Sequence, residues 1–350
     1  MSENKTLFHL SSAPHIGSHD TTRRLMLDVI IALIPAIGVA TFFFGYRVLA
    51  LCGVSVVFCV LFEFLYRLLM KKPQSIGDLS ACITGLLLAM SLPATTPYWT
   101  LAVGAFFAIV IVKQLYGGIG KNFMNPALAA RVFMFISFPG YVNTWSTPLA
   151  TLGVMDDISA ISQATSVDAV TSATPMMLLH DGVLPLEYSY REMLAGQRPG
   201  SMGEAAIVAL LLGGLYLLLR KVITLRIPAT YLGTVVLLTF LFPQGGNEAL
   251  PWMIYQLLSG GLVMGAFFMA TDYSTSPVTR GGQWIYGIGC GLLTVFIRYF
   301  GSYPEGVSFA ILIMNACVWL FDKWGKPRRF GAKNAPRKQK KAKEAAKDED

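Results

Sequence analysis

Three stretches of this sequence carry residue types and spacings that could do chemistry. The first is Asp168-Ala-Val-Thr171-Ser172-Ala173-Thr174-Pro175, a hydroxyl-rich run just ahead of the apolar Met176-Met-Leu-Leu179. A threonine acts as a nucleophile only when a base activates it, and none stands beside Thr174. On its residues alone this stretch is a polar turn stopped by a proline. The second is Lys113-Gln-Leu-Tyr116-Gly117-Gly118-Ile-Gly120-Lys121-Asn122-Phe-Met-Asn125-Pro126-Ala127. Its glycines let the backbone approach a planar ligand or, equally, a neighbouring helix. Asn125 suits an N-cap and Pro126 the first helical position, so a helix starts there with free amides facing an anion or a carbonyl. The third is a scatter of ionisable residues in or beside apolar runs: Asp28, Glu63, Asp78, Arg131, Asp272, Glu305 and Asp322. Charges in membrane segments mark ion paths, although at the end of a span they also simply reach water. Asp78 and Asp272 are the best placed, and their hard oxygens suit Na⁺ or a proton path.

Composition says what must position these groups. Hydrophobic residues make up 54% of the 350 and charged residues only 14%, against roughly a quarter charged in soluble domains. So few charges cannot cover a soluble surface, which points to an all-α membrane protein. About ten apolar segments can be marked: Leu25–Phe44, Val48–Leu69, Leu79–Leu92, Tyr98–Leu115, Ala127–Phe138, Ala205–Leu219, Ile227–Phe242, Leu257–Thr271, Trp284–Phe300 and Val307–Phe321. Several fall short of the ~20 residues a perpendicular helix needs. The third, fifth and eighth end at loops rich in Gly, Pro, Ser or Thr and read as half-helices, whose irregular backbone must line a protein cavity.

Most basic residues flanking the segments, Arg67, Lys113 and Arg226 among them, fall on one side, with Arg47, Arg191 and Arg198 on the other. The positive-inside rule then puts both termini in the cytoplasm. The chain divides into a cytoplasmic N-terminus (1–22), a first membrane half (23–138), an outward loop (139–203), a second membrane half (204–322) and a basic tail (323–350). The tail holds eleven Lys/Arg and four Asp/Glu and carries most of the net +8; it reads as disordered and as an anchor on anionic lipid. Nucleic acid is not expected as a partner, because no aromatic residues interleave with the basic ones. The first twenty residues are polar and the first apolar run is long, so no cleavable secretory signal is expected.

Cys52, Cys59, Cys82, Cys290 and Cys317 lie in apolar stretches without a Cys-x-x-Cys pair, so no metal site is expected within the chain. His9, His15, His19 and His180 lie outside the spans, which argues against transmembrane haem. No dinucleotide-binding fingerprint is present.

An internal repeat is visible. Gly85-Leu-Leu-Leu-Ala-Met-Ser-Leu-Pro93 and Gly117–Pro126 in the first half correspond to Gly265-Ala-Phe-Phe-Met-Ala-Thr-Asp272 and Gly301-Ser-Tyr-Pro-Glu-Gly306 in the second. Five segments per half is an odd number, so the halves form inverted repeats, whose functional site lies between them near the middle of the bilayer.

Two motifs resemble one family. Asp168 through Thr174 is similar to the acceptor motif of flavin transferases, which join FMN to the last threonine by a phosphoester. The resemblance implies covalent FMN on Thr174, with Asp168 and Ser172 read by the transferase and Ala173 part of the cofactor-bearing motif. The Lys113–Ala127 stretch resembles that of the D-type subunit of the Rnf complex, the ion-translocating ferredoxin:NAD oxidoreductase, and its relative, the B-type subunit of the sodium-translocating NADH:quinone reductase. Phe267–Asp272, Tyr303–Gly306 and Leu320–Asp322 agree, so the resemblance runs from about Arg23 to Phe330. It implies a urea-transporter-like fold and a bacterial inner-membrane location beside subunits of the A, B, C, E and G types. It also implies a second, non-covalent flavin (riboflavin) near Gly117, Gly118, Asn122 and Asn125. Asp78, Asp272 and Asp322 are then candidates for the ion path. A channel or solute transporter of the same fold without redox chemistry is the rival from another class, and the quinone-reducing relative is the near alternative.

Overall fold

The computed structural model describes residues 21–145, 148 and 174–324. Residues 1–20, Asp168, Ser172 and Ala173 of the acceptor motif, and the tail from residue 325 lie outside the described residues.

Two long helices open the fold. Helix α1 (Thr22–Phe44) and α2 (Arg47–Leu69) have 23 residues each, about 34 Å of helix at 1.5 Å per residue. That length matches the ~30 Å hydrocarbon layer. Only 33% of the most apolar window of either helix is buried, and Ile34, Phe42, Leu49 and Val57 stand exposed. Neither helix has a polar face to offer water, so lipid is the solvent these surfaces fit. The chain is a multi-pass membrane protein.

The remaining apolar helices are shorter. The first half continues with α3 (Ser80–Met90), α4 (Tyr98–Gln114) and α5 (Pro126–Ser137). Two short helices, α6 (Pro175–His180) and α7 (Tyr190–Ala195), precede the second half. This half comprises α8 (Glu204–Leu219), α9 (Arg226–Leu241), α10 (Ala249–Leu258), α11 (Leu262–Met269), α12 (Arg280–Phe300), α13 (Val307–Ala316) and α14 (Val318–Trp324). Among the described residues every regular element is helical.

Two expected segments differ from their sequence reading. The eighth begins at Ala249 rather than Leu257, because Pro251 sits in the first turn, where a proline costs no hydrogen bond. It then bends by 64° between α10 and α11, through Gly260 (φ +72°) and Gly261 (φ +60°), a left-handed conformation that a β-carbon would strain. The tenth segment is broken at Cys317. The third and fifth are short helices, as their Gly- and Pro-rich ends suggested.

The polypeptide packs closely where side chains are small. A β-carbon on Gly85 would stand 2.9 Å from the Val56 Cα, and Ser55 Oγ donates to the Gly85 carbonyl at 2.8 Å, locking α3 onto α2. Along α9 and α12, Gly287 and Gly291 face Thr230 and Thr234. In the centre α5 and α13 run antiparallel. Arg131 Nη1 donates to Ser308 Oγ at 3.2 Å. Asn315, its amide turned to suit its neighbours, accepts from Asn125 N at 3.2 Å. Helices α4 and α11 both widen to π spacing, over Phe107–Gln114 and Gly265–Met269. Such bulges frequently sit at functional sites, and here each ends within a few residues of the cavity described next.

Candidate functional site

The cationic motif lysine and the loop acids converge on the side of the fold where α3 and α5 begin. A cavity of about 380 Å³ opens there, within the ~300–1,000 Å³ typical of small-molecule sites. One wall is apolar, from Leu25, Met26, Ile83 and Leu87, and the other carries Ser80, Lys113, Asn122, Asp272 and Ser274. Lys113 is buried at the end of the α4 π segment. Its Nζ donates to Glu63 Oε2 at 2.7 Å and to Ser80 Oγ at 2.6 Å. Asp78 holds that serine in turn, accepting from Ser80 N at 2.8 Å and from its Oγ at 2.6 Å. Glu63 also accepts from Ser75 Oγ and lies 3.8 Å from Arg67 Nε.

Asn125 caps α5 as the sequence predicts. Its Oδ1 accepts from Ala127 N at 3.0 Å and Leu128 N at 3.3 Å, and its Nδ2 donates to the Met269 carbonyl at 3.2 Å. Asn122 Nδ2 donates to Ser274 Oγ at 3.3 Å, while its buried Oδ1 has no hydrogen-bond partner in the protein. Asp272, in the loop after α11, accepts from Ser274 Oγ at 2.9 Å and Thr275 Oγ1 at 3.1 Å. Burial pushes its carboxyl up, and those two hydrogen bonds oppose the shift.

The other predicted residues lie apart from the cavity. Gly117 (φ +115°) and Gly118 (φ +94°) turn the chain after α4, with Lys121 packed over the first and Arg67 over the second. Asp322 accepts from Thr279 N at 2.9 Å and Thr279 Oγ1 at 2.8 Å, tying α14 to the start of α12. Of the three acids singled out for an ion path, Asp272 lines the cavity, Asp78 acts on it through Ser80, and Asp322 is a latch elsewhere.

At the opposite end of α12, Thr174 caps α6, its Oγ1 accepting from Met177 N at 3.3 Å. Met176 and Leu179 pack into a small apolar core with Met193, Trp252 and Tyr255. His180 Nδ1 donates to the Arg298 carbonyl at 2.8 Å. The buried Arg298 guanidinium gives Nη1 to the Gln256 carbonyl at 2.7 Å and to its Oε1 at 3.0 Å, and Nη2 to the Ser259 carbonyl at 2.9 Å. These are the carbonyls orphaned where α10 stops, and a cation there also answers the helix dipole. A β-carbon on Gly260 would meet Arg298 Nη2 at 2.7 Å and Met176 Sδ at 3.1 Å, so the turn under Thr174 rests on the helix break itself.

Arg198 adds hydrogen bonds to Ser259 Oγ at 3.4 Å and to the Glu204 carbonyl at 3.1 Å. Burial pulls its guanidinium down to about 10, against the attraction of Glu204, so it stays charged at neutral pH. Ser201 Oγ donates to Glu204 Oε1 at 3.0 Å, and Arg131 forms an ion pair with Glu305.

A model of the NQR2, RnfD, RnfE family matches residues 9–331. The chain belongs to this family. Among its relatives is the D-type subunit of the Na(+)-translocating ferredoxin:NAD(+) oxidoreductase complex of Acetobacterium woodii, 43% identical over 94% of this chain and 96% of that protein. The D-type subunit of the proton-translocating ferredoxin:NAD(+) oxidoreductase complex of Clostridium ljungdahlii is 39% identical over 94% of this chain and 98% of its own. That of the ion-translocating oxidoreductase complex of Actinobacillus succinogenes is 37% identical over 93% and 98%.

Within this family member, sequence reasoning missed the arginine cluster. Arg198 reads as an ordinary charge flanking a span, and Arg298 is hidden in an apolar run. The signal was there: an arginine inside a span needs a partner. Its partners, however, lie some forty positions away in sequence, at Gln256 and Ser259.

Proposed function

We propose that the chain is the membrane electron-transfer subunit of an ion-translocating ferredoxin:NAD oxidoreductase complex, with FMN joined to Thr174 and a second, non-covalent flavin in the Lys113–Asn122 cavity. Its helices form two inverted five-segment repeats of urea-transporter-like fold, ten spans in the bacterial inner membrane with both termini cytoplasmic. Thr174 then faces outward and the cavity inward. Other Rnf subunits, of the A, B, C, E and G types, flank it, and a flavin transferase installs the covalent group. The coupling ion is Na⁺ or H⁺.

The observation that carries this reading is the pairing of two features with family membership. The acceptor-motif threonine and the half-polar cavity lie at opposite ends of one helical bundle, joined through α12 and the antiparallel α5 and α13. The residues fit the group. Asn122 Oδ1 is a buried acceptor without a protein partner, suited to a ring N–H, and the wall of Leu25, Met26, Ile83 and Leu87 suits a flat apolar face. Asn122 and Lys113 would hold the polar edge of the ring.

A bound flavin supplies one- and two-electron redox chemistry at that place. The chain's own residues set its surroundings. Lys113 Nζ, paired with Glu63 and Ser80, has a third N–H to offer a guest's polar edge. Ile83 and Leu87 exclude water from the opposite face, which strengthens that hydrogen bond. Asp78 and Ser80 fix where the lysine points. At the outer end Met176 and Leu179 anchor the turn carrying Thr174, and the charged phosphoester belongs in that water-facing loop rather than in hydrocarbon.

Fluorescence of the fully denatured chain in a gel tests the reading. Wild type matured with its transferase shows one bound flavin, retained in Thr171→Ala and lost in Thr174→Ala. A wild-type chain without fluorescence would sink the redox reading and favour the channel of related fold.

A further inference from the structure

The polar wall of the cavity is joined to solvent by hydrogen bonds. Lys113 and Ser80 both line the space. Lys113 Nζ donates to Ser80 Oγ at 2.6 Å, and Ser80 Oγ donates to Asp78 Oδ1 at 2.6 Å. Asp78 is only half-buried and lies in the loop between α2 and α3, just past residues 71–74, which are all exposed. Three side chains therefore lead from the cavity to water. Each link is a short hydrogen bond between an amine, a hydroxyl or a carboxyl, groups that exchange protons readily.

Stability alone does not call for this arrangement. The Glu63–Lys113 pair is buried, its side chains 0% and 3% exposed, and well-packed apolar residues would often serve a fold as well as a buried ion pair. Asp78 reaches back over Ser80 because Leu79 between them takes a left-handed φ of +63°, which costs a residue with a β-carbon roughly 1–2 kcal/mol. Such strain clusters at functional sites. Here it brings the Asp78 carboxylate onto both the amide and the hydroxyl of Ser80. Glu63 holds the lysine from the other side at 2.7 Å, with Arg67 and Ser75 against that acid. Charge around the lysine is thus balanced from α2, and its Ser80 side stays connected to Asp78.

We propose that Asp78, Ser80 and Lys113 form a proton relay between solvent and the ligand held in the cavity. It rests on the non-covalent flavin proposed above, a group whose reduction takes up protons at ring nitrogens. When an electron arrives there, Lys113 Nζ gives a proton to a ring nitrogen: one ammonium N–H breaks and one ring N–H forms. The resulting amine takes the Ser80 hydroxyl proton, and Ser80 Oγ takes one from the Asp78 carboxyl, which has drawn it from water. The three groups end as they began, and one proton has entered per electron. Oxidation reverses the order, the direction in which the bonds point at rest; the serine hydroxyl turns to suit either.

Full-length chain made without its transferase carries only the non-covalent flavin, which isolates the relay. Wild type mixed with reduced methyl viologen, a one-electron donor that brings no proton, should take up one proton per electron. A pH-indicator dye reads this beside the flavin absorbance, and uptake should be slower in D₂O. Asp78→Asn keeps an oxygen for Ser80 and should bind as much flavin, yet take up protons about 100-fold more slowly, the scale of a lost proton-transfer group. Added formate buffer, a small carboxylic acid, should restore its rate. Ser80→Ala should be slowed alike, and Ser80→Thr should recover. Uptake by Asp78→Asn at the wild-type rate would overturn the relay. So would wild-type reduction without proton uptake or without a solvent isotope effect, a result that holds even if every variant fails to fold. A wild-type chain that holds no flavin would instead defeat the cavity reading itself, and the relay with it.

Discussion

Lys113 and Arg298 are both buried cations near the ends of long helices, yet they do different work. Lys113 lines a cavity of about 380 Å³, and its partners Glu63 and Ser80 leave its ammonium at the wall of that space. Arg298 is turned inward on protein carbonyls and closes the gap left where α10 breaks. Lys113 leaves open space beside its ammonium, whereas Arg298 completes the fold beneath Thr174. A buried charge therefore marks function only when its partners leave room beside it.

Replacements at the two ends can break that contrast. The largest effect is expected from Arg298→Leu, which strands the Gln256 and Ser259 carbonyls at about 1–3 kcal/mol each. Thermal unfolding of the detergent-solubilised protein should show it, and α6 should become accessible to protease. Lys113→Met leaves the buried Glu63 only the longer contact to Arg67 at 3.8 Å, a loss of up to about 3–5 kcal/mol. Adding Glu63→Leu to Lys113→Met should recover most of that stability, while the extractable flavin stays lost. If the double variant kept the flavin, the inner charge would be structural after all.

Smaller changes sharpen the comparison. Asn122→Leu should fold normally and release the non-covalent flavin about tenfold more readily, as expected for one hydrogen bond of ~1.4 kcal/mol. Asp322→Ala removes the acceptor of Thr279 N and Oγ1, costs about 1 kcal/mol and leaves flavin content unchanged; a loss of flavin there would return Asp322 to the site.

The sequence made some of this legible and hid the rest for physical reasons. Helices α1 and α2 announce themselves because apolar residues run on without interruption, and Asn125-Pro126 marks the start of α5 by cap chemistry alone. The start of α10 was obscured by Pro251 and Gln256, polar or rigid residues that the helix tolerates through position and pairing. Asn122 and Asp272, singled out from motif and repeat, both line the cavity. Gly117 and Gly118, whose spacing suits a ligand or a neighbouring helix alike, sit in the turn after α4 under Lys121 and Arg67, a placement that depends on distant side chains. The Arg198, Glu204 and Arg298 cluster depends wholly on contacts between distant segments, which periodicity cannot reveal.

A covalent flavin on one threonine at the outer end of this bundle is the central claim. Mass spectrometry of the peptide containing residues 168–180, from protein matured with its transferase, addresses it most directly. The expected result is an added mass of FMN less one water, localised to Thr174. An unmodified peptide, or the adduct on Thr171 or Ser172, would contradict it.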